Sequence, residues 1–381
     1  MLSCSSPGGA SMDVLAVTLS GLSIARRCRA AEAVYLLDLS LQVSSAALVA
    51  ASCSDYKVRL HHRETLSMLG ELGGHSSPLC GVAFAHASAD LLYSGSADGT
   101  LRAWDVRSRS SVQTFSSEPT HSYCSFDLNC DDMLLCAGTE QEDGEDSFLV
   151  FWDTRKPSAT LGVYSESHSD DITQVRFHPS DKDRLASGSM DGLVNVFDLS
   201  RGSEDDALLA TCNNDSSVSH VRWSGHGHAH LLCLSHNHGV HLWDLRRLDS
   251  DQPLALFSAT DARGLANVDY LVGAQWVEEE RRLMVVGGWG EGHLRLMECD
   301  GDGLRLIRSL SGGHTSTVRC FLWDTDDIFT GGEDGQLLLW KQQGGEEPII
   351  NKREPSKSQS ALRLKTRLHK KHGLQREKKK C

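Results

Sequence analysis

Proline is scarce in this chain, at 8 residues in 381, and no apolar run reaches the length needed to cross a membrane. Aromatic residues make up only 6%. No CxxC pair occurs among the 12 cysteines, which excludes the common zinc and redox spacings. A chain this long needs no disulfide framework, so the cysteines read as reduced thiols used as small core residues in the cytosol or nucleus. Catalytic signatures are missing too. There is no Walker loop, no GxGxxG, no GxSxG elbow and no HExxH. What is abundant is glycine, at 34 residues. Many short strands joined by glycine turns would give that balance.

Charge is unevenly divided. Residues 346–381 carry twelve Lys/Arg and four Asp/Glu, a net of +8, which leaves −21 on residues 1–345 out of a total of −13. The chain is an acidic body with a basic tail. Val14–Ile24 is mildly apolar but has no basic residue before it, so it makes a poor signal peptide. Arg26, Arg27 and Arg29 beside Ser and Ala faintly suggest a transit peptide, and a strand explains the apolar segment better.

The sequence repeats itself. Three segments share four columns: a histidine (His75, His168, His314), a hydroxyl (Ser94, Ser187, Thr330), an aspartate (Asp98, Asp191, Asp334) and a large aromatic (Trp104, Phe197, Trp340). The aspartate always precedes the aromatic by six residues and the hydroxyl by ten. A weaker copy holds His121, Thr139, Asp146 and Trp152, its hydroxyl displaced by the acidic insertion Glu140–Asp146. Trp243 with Asn237, Met297 with Glu291, and His61 with Asp55 extend the series. The aromatic column then reads 61, 104, 152, 197, 243, 297 and 340.

A period of roughly 40–45 residues with GH and WD signatures is that of the WD40 repeat, and the chain resembles that family from about Met12 to Gly345. Each unit offers four short stretches of strand character. In the second these are Cys80–Ala85, Leu91–Ser94, Thr100–Asp105 and Val112–Phe115. Four antiparallel strands make a blade with two apolar faces, and stacking blades in a ring buries both. The expected fold is therefore all-β: a seven-bladed WD40 β-propeller with a disordered basic C-terminal tail. Residues 1–11 form a flexible start, 12–345 the propeller and 346–381 the tail. Val14–Leu19 is expected to supply the outer strand that closes the ring. The resemblance further implies that the four columns form a hydrogen-bonded quartet in each blade, with blades 1, 5 and 6 looser.

Several features could carry function. Trp104-Asp105-Val106-Arg107, Trp152-Asp153-Thr154-Arg155 and Trp243-Asp244-Leu245-Arg246 are WDxR boxes. They resemble those of substrate receptors in cullin-based ubiquitin ligases, which makes Arg107, Arg155 and Arg246 candidate contacts to a ligase adaptor. The tail, ending in Lys370, Lys371, Arg376, Lys378, Lys379 and Lys380, suits nuclear targeting or an RNA contact, without the interleaved aromatics that stack bases. Seven histidines crowd His220–His241, and His226, His228 and His230 would share a strand face, but no acid or CxxC completes a metal site. Acidic runs at Glu140–Asp146 and Glu204–Asp206 are expected on opposite faces. The reading is a noncatalytic scaffold or adaptor, without cofactor, catalytic or metal residues. It would act as a monomer within a larger complex in the nucleus or cytoplasm, bound to other proteins and to no membrane. The alternatives are a cullin-ligase receptor and a nuclear or nucleolar RNA-associated assembly factor.

Overall fold

Short strands dominate because the sequence alternates four- to eight-residue apolar stretches with turn residues. The computed structural model describes residues 19, 21–30, 33–42, 47–142, 144, 146–247, 262–278, 281–300, 303–325 and 327–342. The chain divides into two units, 1–344 and 345–381. The second, with the expected basic tail and its candidate targeting residues, lies outside the described residues, as do residues 1–11.

Strand β1 spans Leu22–Arg29. Blade 1 follows as β2 (Leu36–Leu41), β3 (Leu48–Cys53), β4 (Val58–His62) and β5 (Met68–Leu72). Blade 2 is β6 (Leu79–Phe84), β7 (Leu91–Ser96), β8 (Thr100–Asp105) and β9 (Ser110–Phe115). Blade 3 is β10 (Tyr123–Leu128), β11 (Leu134–Thr139), β12 (Ser147–Asp153) and β13 (Gly162–His168). Blade 4 is β14 (Gln174–Phe177), β15 (Arg184–Gly188), β16 (Leu193–Asp198) and β17 (Leu208–Asn213). Blade 5 shows three described strands, β18 (Val218–Ser224), β19 (His230–Ser235) and β20 (Val240–Asp244). Blade 6 is β21 (Tyr270–Val277), β22 (Arg282–Gly288), β23 (Leu294–Asp300) and β24 (Gly303–Leu310). Blade 7 is β25 (Val318–Asp324), β26 (Asp327–Gly332) and β27 (Gln336–Gln342), completed on its outer side by β1.

All strands pair antiparallel with their sequence neighbours, except that β1 pairs β27. The first strand of each blade packs on that of the next, from β2 through β6, β10, β14, β18, β21 and β25 back to β2. Seven blades thus close a ring around a central channel. Burial grades outward. The second strand of blade 2, β7, is buried along almost its whole length, whereas the outer strand β9 is largely exposed. Second and third strands are covered by the adjoining blades on both faces, so their side chains must be apolar or small. Between blades 2 and 3, the ring of Trp152 meets Tyr123 edge-on at 5.8 Å and Phe115 at 6.5 Å. Each such pair contributes about 0.5–1.5 kcal/mol beyond its buried area.

The closing strand differs from expectation. It is Leu22–Arg29, in register from Leu22 opposite Gln342 to Arg29 opposite Gln336, and not Val14–Leu19. Residues 14–18 lie outside the described residues, and Leu19 is buried. An outer strand needs only one apolar face. Leu22 supplies its buried anchor, while Arg26, Arg27 and Arg29 stand exposed on the edge, where charge discourages further strand pairing. The arginines that hinted at a transit peptide are rim residues.

Candidate functional site

The repeated histidine–aspartate pairs are the first candidates for chemistry. In blade 2 the turn between β7 and β8 is Asp98–Gly99, with Gly99 at φ +77°, and Gly192 and Gly335 follow Asp191 and Asp334 at φ +87° and +70°. These left-handed turns admit glycine readily and fold the aspartate back beneath the strand ends. Asp98 Oδ2 lies 2.9 Å from His75 Nδ1, and His75 Nε2 lies 2.8 Å from Ser94 Oγ. The Trp104 indole N–H donates to the same Ser94 Oγ at 2.8 Å. The directions are fixed: Nδ1–H donates to the carboxylate, Ser94 O–H donates to Nε2, and the serine accepts the indole. Blade 7 repeats this with His314, Asp334 (3.0 Å), Thr330 (2.8 Å) and Trp340 (2.9 Å). Blade 4 brings His168 to Asp191 at 3.0 Å and to Ser187 at 2.7 Å, with Phe197 buried but offering no donor.

Burial works against the Asp98 charge, but donors from Thr100, the Ser76 amide and His75 outweigh it and hold the carboxyl below its usual range. Asp191 and Asp334 are held down in the same way. Burial also lowers the His75 imidazole, against the pull of Asp98. Every polar atom of these quartets is saturated and enclosed, so the pairs hold blades together and offer no open valence to a substrate.

Blade 3 departs from the expected quartet. His121 approaches Glu142 at 3.9 Å, Thr139 Oγ1 accepts the Phe148 amide, and the Trp152 indole donates to the Ser116 carbonyl. Asp146 is exposed and joins no quartet among the described residues. The acidic insertion lengthens the β11–β12 turn, so an aspartate six residues before the tryptophan no longer reaches beneath the blade. In blade 1, Asp55 is taken instead by Arg59, through a two-bond fork at 2.9 and 2.7 Å, with Glu71 3.2 Å from the same guanidinium. In blade 5, Asn237 bonds to Ser235 and to the Gly239 amide.

We call the end of the ring bearing the turns between second and third strands the upper face, and the opposite end the lower face. The WDxR boxes leave third strands and lie on the lower face. Arg155 forks onto its own Asp153 at 2.8 and 2.6 Å, and Arg246 onto Asp244 at 2.7 and 2.8 Å. Arg107 is looser, 3.5 Å from both Asp105 and Asp90. All three are exposed. Of the acidic runs, Glu204 opens a one-turn helix, Glu204–Ala207, and accepts the Ser165 and Glu166 amides at 2.7 and 2.9 Å. Glu142 accepts the Ser122 amide. The histidine-rich stretch does not converge. His226 and His228 sit in a turn, His228 meets the His178 ring edge-on, and His230 faces Arg246. No group of metal-binding side chains forms among the described residues.

The channel wall was not legible in the motifs. Strand pairing places Asp38, Gly81, Ser125, Gln174, His220, Gly273 and Cys320 at one level, one from each blade. Two residues further, toward the lower face, come Ser40, Ala83, Asp127, Arg176, Arg222, Gln275 and Leu322. Several of these side chains stitch one blade to the next. Asp38 accepts the Val82 amide, Ser40 the Phe84 amide and Asp127 the Phe177 amide, at 3.1, 2.9 and 2.8 Å. Gln275 both accepts from Trp323 N–H and donates to its carbonyl. The lower level lines a cavity of about 570 Å³ whose mouth is formed by the first-to-second strand turns, including His86, Cys130, Pro179 and Glu278. Just above it, burial and then Arg222 and Arg176 push the His220 imidazole down to about 3.

A closed ring of seven antiparallel blades, pinned in blades 2 and 7 by His–Ser/Thr–Asp–Trp quartets, is a WD40-repeat propeller. The chain belongs to the family described as Nucleolar protein 10-like, N-terminal domain, whose model matches residues 38–268, and a WD domain, G-beta repeat, matches residues 304–341. It is 29% identical to the WD repeat-containing protein 89 homolog of Dictyostelium discoideum, over 80% of this chain and 82% of the relative. It is 31% identical to WD repeat-containing protein GTS1 of Arabidopsis thaliana, over 77% of this chain and 78% of the relative. It is 28% identical to the human GATOR2 complex protein WDR24, over 45% of this chain and 21% of that protein.

Proposed function

We propose that this chain is a noncatalytic scaffold that docks partner proteins through its two faces. One observation carries the reading. The histidine–aspartate pairs are consumed in structural quartets, whereas charged groups of both signs stand exposed on the face loops. Exposed loops on a rigid scaffold are where binding residues concentrate. Similarity to a named component of the GATOR2 complex supports an assembly role. Proximity labelling in cells, comparing the intact chain with a lower-face variant carrying Arg107→Glu, Arg155→Glu and Arg246→Glu, tests it. Loss of a defined set of neighbours in the variant is expected. An unstructured background in both would refute the scaffold.

The same variant tests the ligase-receptor reading, for which cullin recovery must fall. On that reading Arg155 and Arg246 must first leave their own aspartates. A second, finer reading is favoured by the family description and the basic tail: a nucleolar RNA-associated factor. Deleting 350–381 should displace the protein from the nucleus and weaken salt-sensitive RNA retention. Unchanged location and retention would reject this reading and leave the scaffold standing.

A further inference from the structure

Arg176 and Arg222 occupy the same level of the channel wall in adjacent blades, and confinement in the channel first, then the Arg176 charge, disfavours the charged form of Arg222. Arg222 is exposed to the channel solvent and makes no hydrogen bond or ion pair with a described residue. Arg176 donates one N–H to the Val175 carbonyl at 3.0 Å, and its buried Nε–H has no acceptor. The acids of the cavity lend Arg222 and Arg176 some Coulombic support, but none makes a direct hydrogen bond or ion pair with either guanidinium among the described residues. Asp38 accepts the Leu39 and Val82 amides, and Asp127 accepts the Leu128 and Phe177 amides. At the mouth, Asp324 is bound by Arg63 at 2.6 Å and Glu278 by the Trp276 indole. Two guanidiniums therefore face a confined cavity with hydrogen-bond donors to spare.

We infer that the lower half of the channel is an oxyanion site, in which Arg222 and Arg176 together hold a phosphate or carboxylate group entering from the lower face. Planar guanidinium forks suit both groups, and Phe177, Trp223 and Trp276 line the same cavity. Because the pair repels itself when empty, the site carries a testable signature of opposite sign with and without ligand.

The experiment measures thermal midpoints of the full chain in sodium chloride, then in inorganic phosphate or citrate at matched ionic strength. In chloride, Arg222→Met should melt above the native protein, since it relieves the repulsion. At roughly ten times Kd, the native protein should gain about 2 °C from a bound anion. Arg222→Met should lose that gain, and Arg155→Met, an exposed lower-face arginine outside the channel, should keep it. A gain in phosphate alone assigns a phosphate ligand, a gain in citrate alone a carboxylate ligand, and a gain in both the shared oxyanion chemistry. No gain with either anion overturns the inference, as does a gain that survives Arg222→Met. An Arg222→Met chain that fails to fold overturns it as well, because it would show Arg222 to be a paired structural residue.

Discussion

Asp98 and Asp146 hold the same place in the repeat and opposite places in the molecule. Asp98 accepts from His75, Thr100 and the amide of Ser76, and its side chain is nearly enclosed. Replacing it by alanine strands those donors, which costs about 2–4 kcal/mol. Asp146 is exposed, and Asp146→Ala should stay within about 0.5 kcal/mol. Denaturant midpoints of the two variants check this, and equal losses would refute the account of blade 3. The quartets also set the acid response. His75 is held below its ordinary 6.5, so beneath that pH the unfolded chain takes up a proton the folded chain refuses, and stability falls. His61, His178, His220, His230 and His241 are lowered by burial and act in the same sense, while His86, raised by Asp132, acts in the opposite one. Asp98, Asp191 and Asp334 are held below their ordinary 3.8, so a second loss follows as pH drops through that value. Urea midpoints should vary least around neutral pH and fall in two stages below 6.5, and His75→Gln should soften the first stage.

The closing strand makes its own demands. Leu22 is 3% exposed and packs in the cluster that includes Val318 and Trp340. Leu22→Asp should cost about 3–4 kcal/mol, whereas Arg26→Glu and Arg27→Glu on the rim should stay within about 0.5 kcal/mol. Deleting residues 1–30 opens the edge of β27 and should produce aggregation, visible as light scattering at a lowered thermal midpoint. If that deletion left melting unchanged, β1 would not be the clasp. The misplacement of this strand in the sequence reading has a physical cause. Apolarity reports strands covered on both faces, such as β7 with its Leu-Leu-Tyr-Ser-Gly-Ser, and the quartet columns stand out because buried polar groups must be saturated. The outer strand β1 carries arginines on its exposed positions and looks like loop. The channel arginines were hidden for a different reason. Only the pairing register, with its irregularity at the start of most inner strands, brings Arg176 and Arg222 to one level. The capture of Arg155 and Arg246 by their own aspartates depends on the geometry of the turn, which WDxR spacing does not encode.

At the scale of the whole molecule the dominant fact is the division of charge, −21 on residues 1–345 against +8 on 346–381. A polyanion should be repelled by the first part and drawn to the second, so affinity for nucleic acid must reside in the tail if it exists at all. This has a quantitative form. A tail that neutralises six to eight phosphates of a single-stranded RNA gives a slope of log Kobs against log salt of about −4 to −6, at roughly 0.7 per contact. The intact chain should therefore bind a heparin column at low salt and elute sharply as salt rises, and residues 1–345 should flow through. Retention of 1–345 would mean that a cationic surface on the propeller outweighs its net charge, and the rim arginines Arg26, Arg27 and Arg29 would be the first residues to substitute. Failure of the intact chain to bind would remove the electrostatic basis for an RNA role. The tail would then be left to a receptor that reads Lys370 to Lys380 as a peptide.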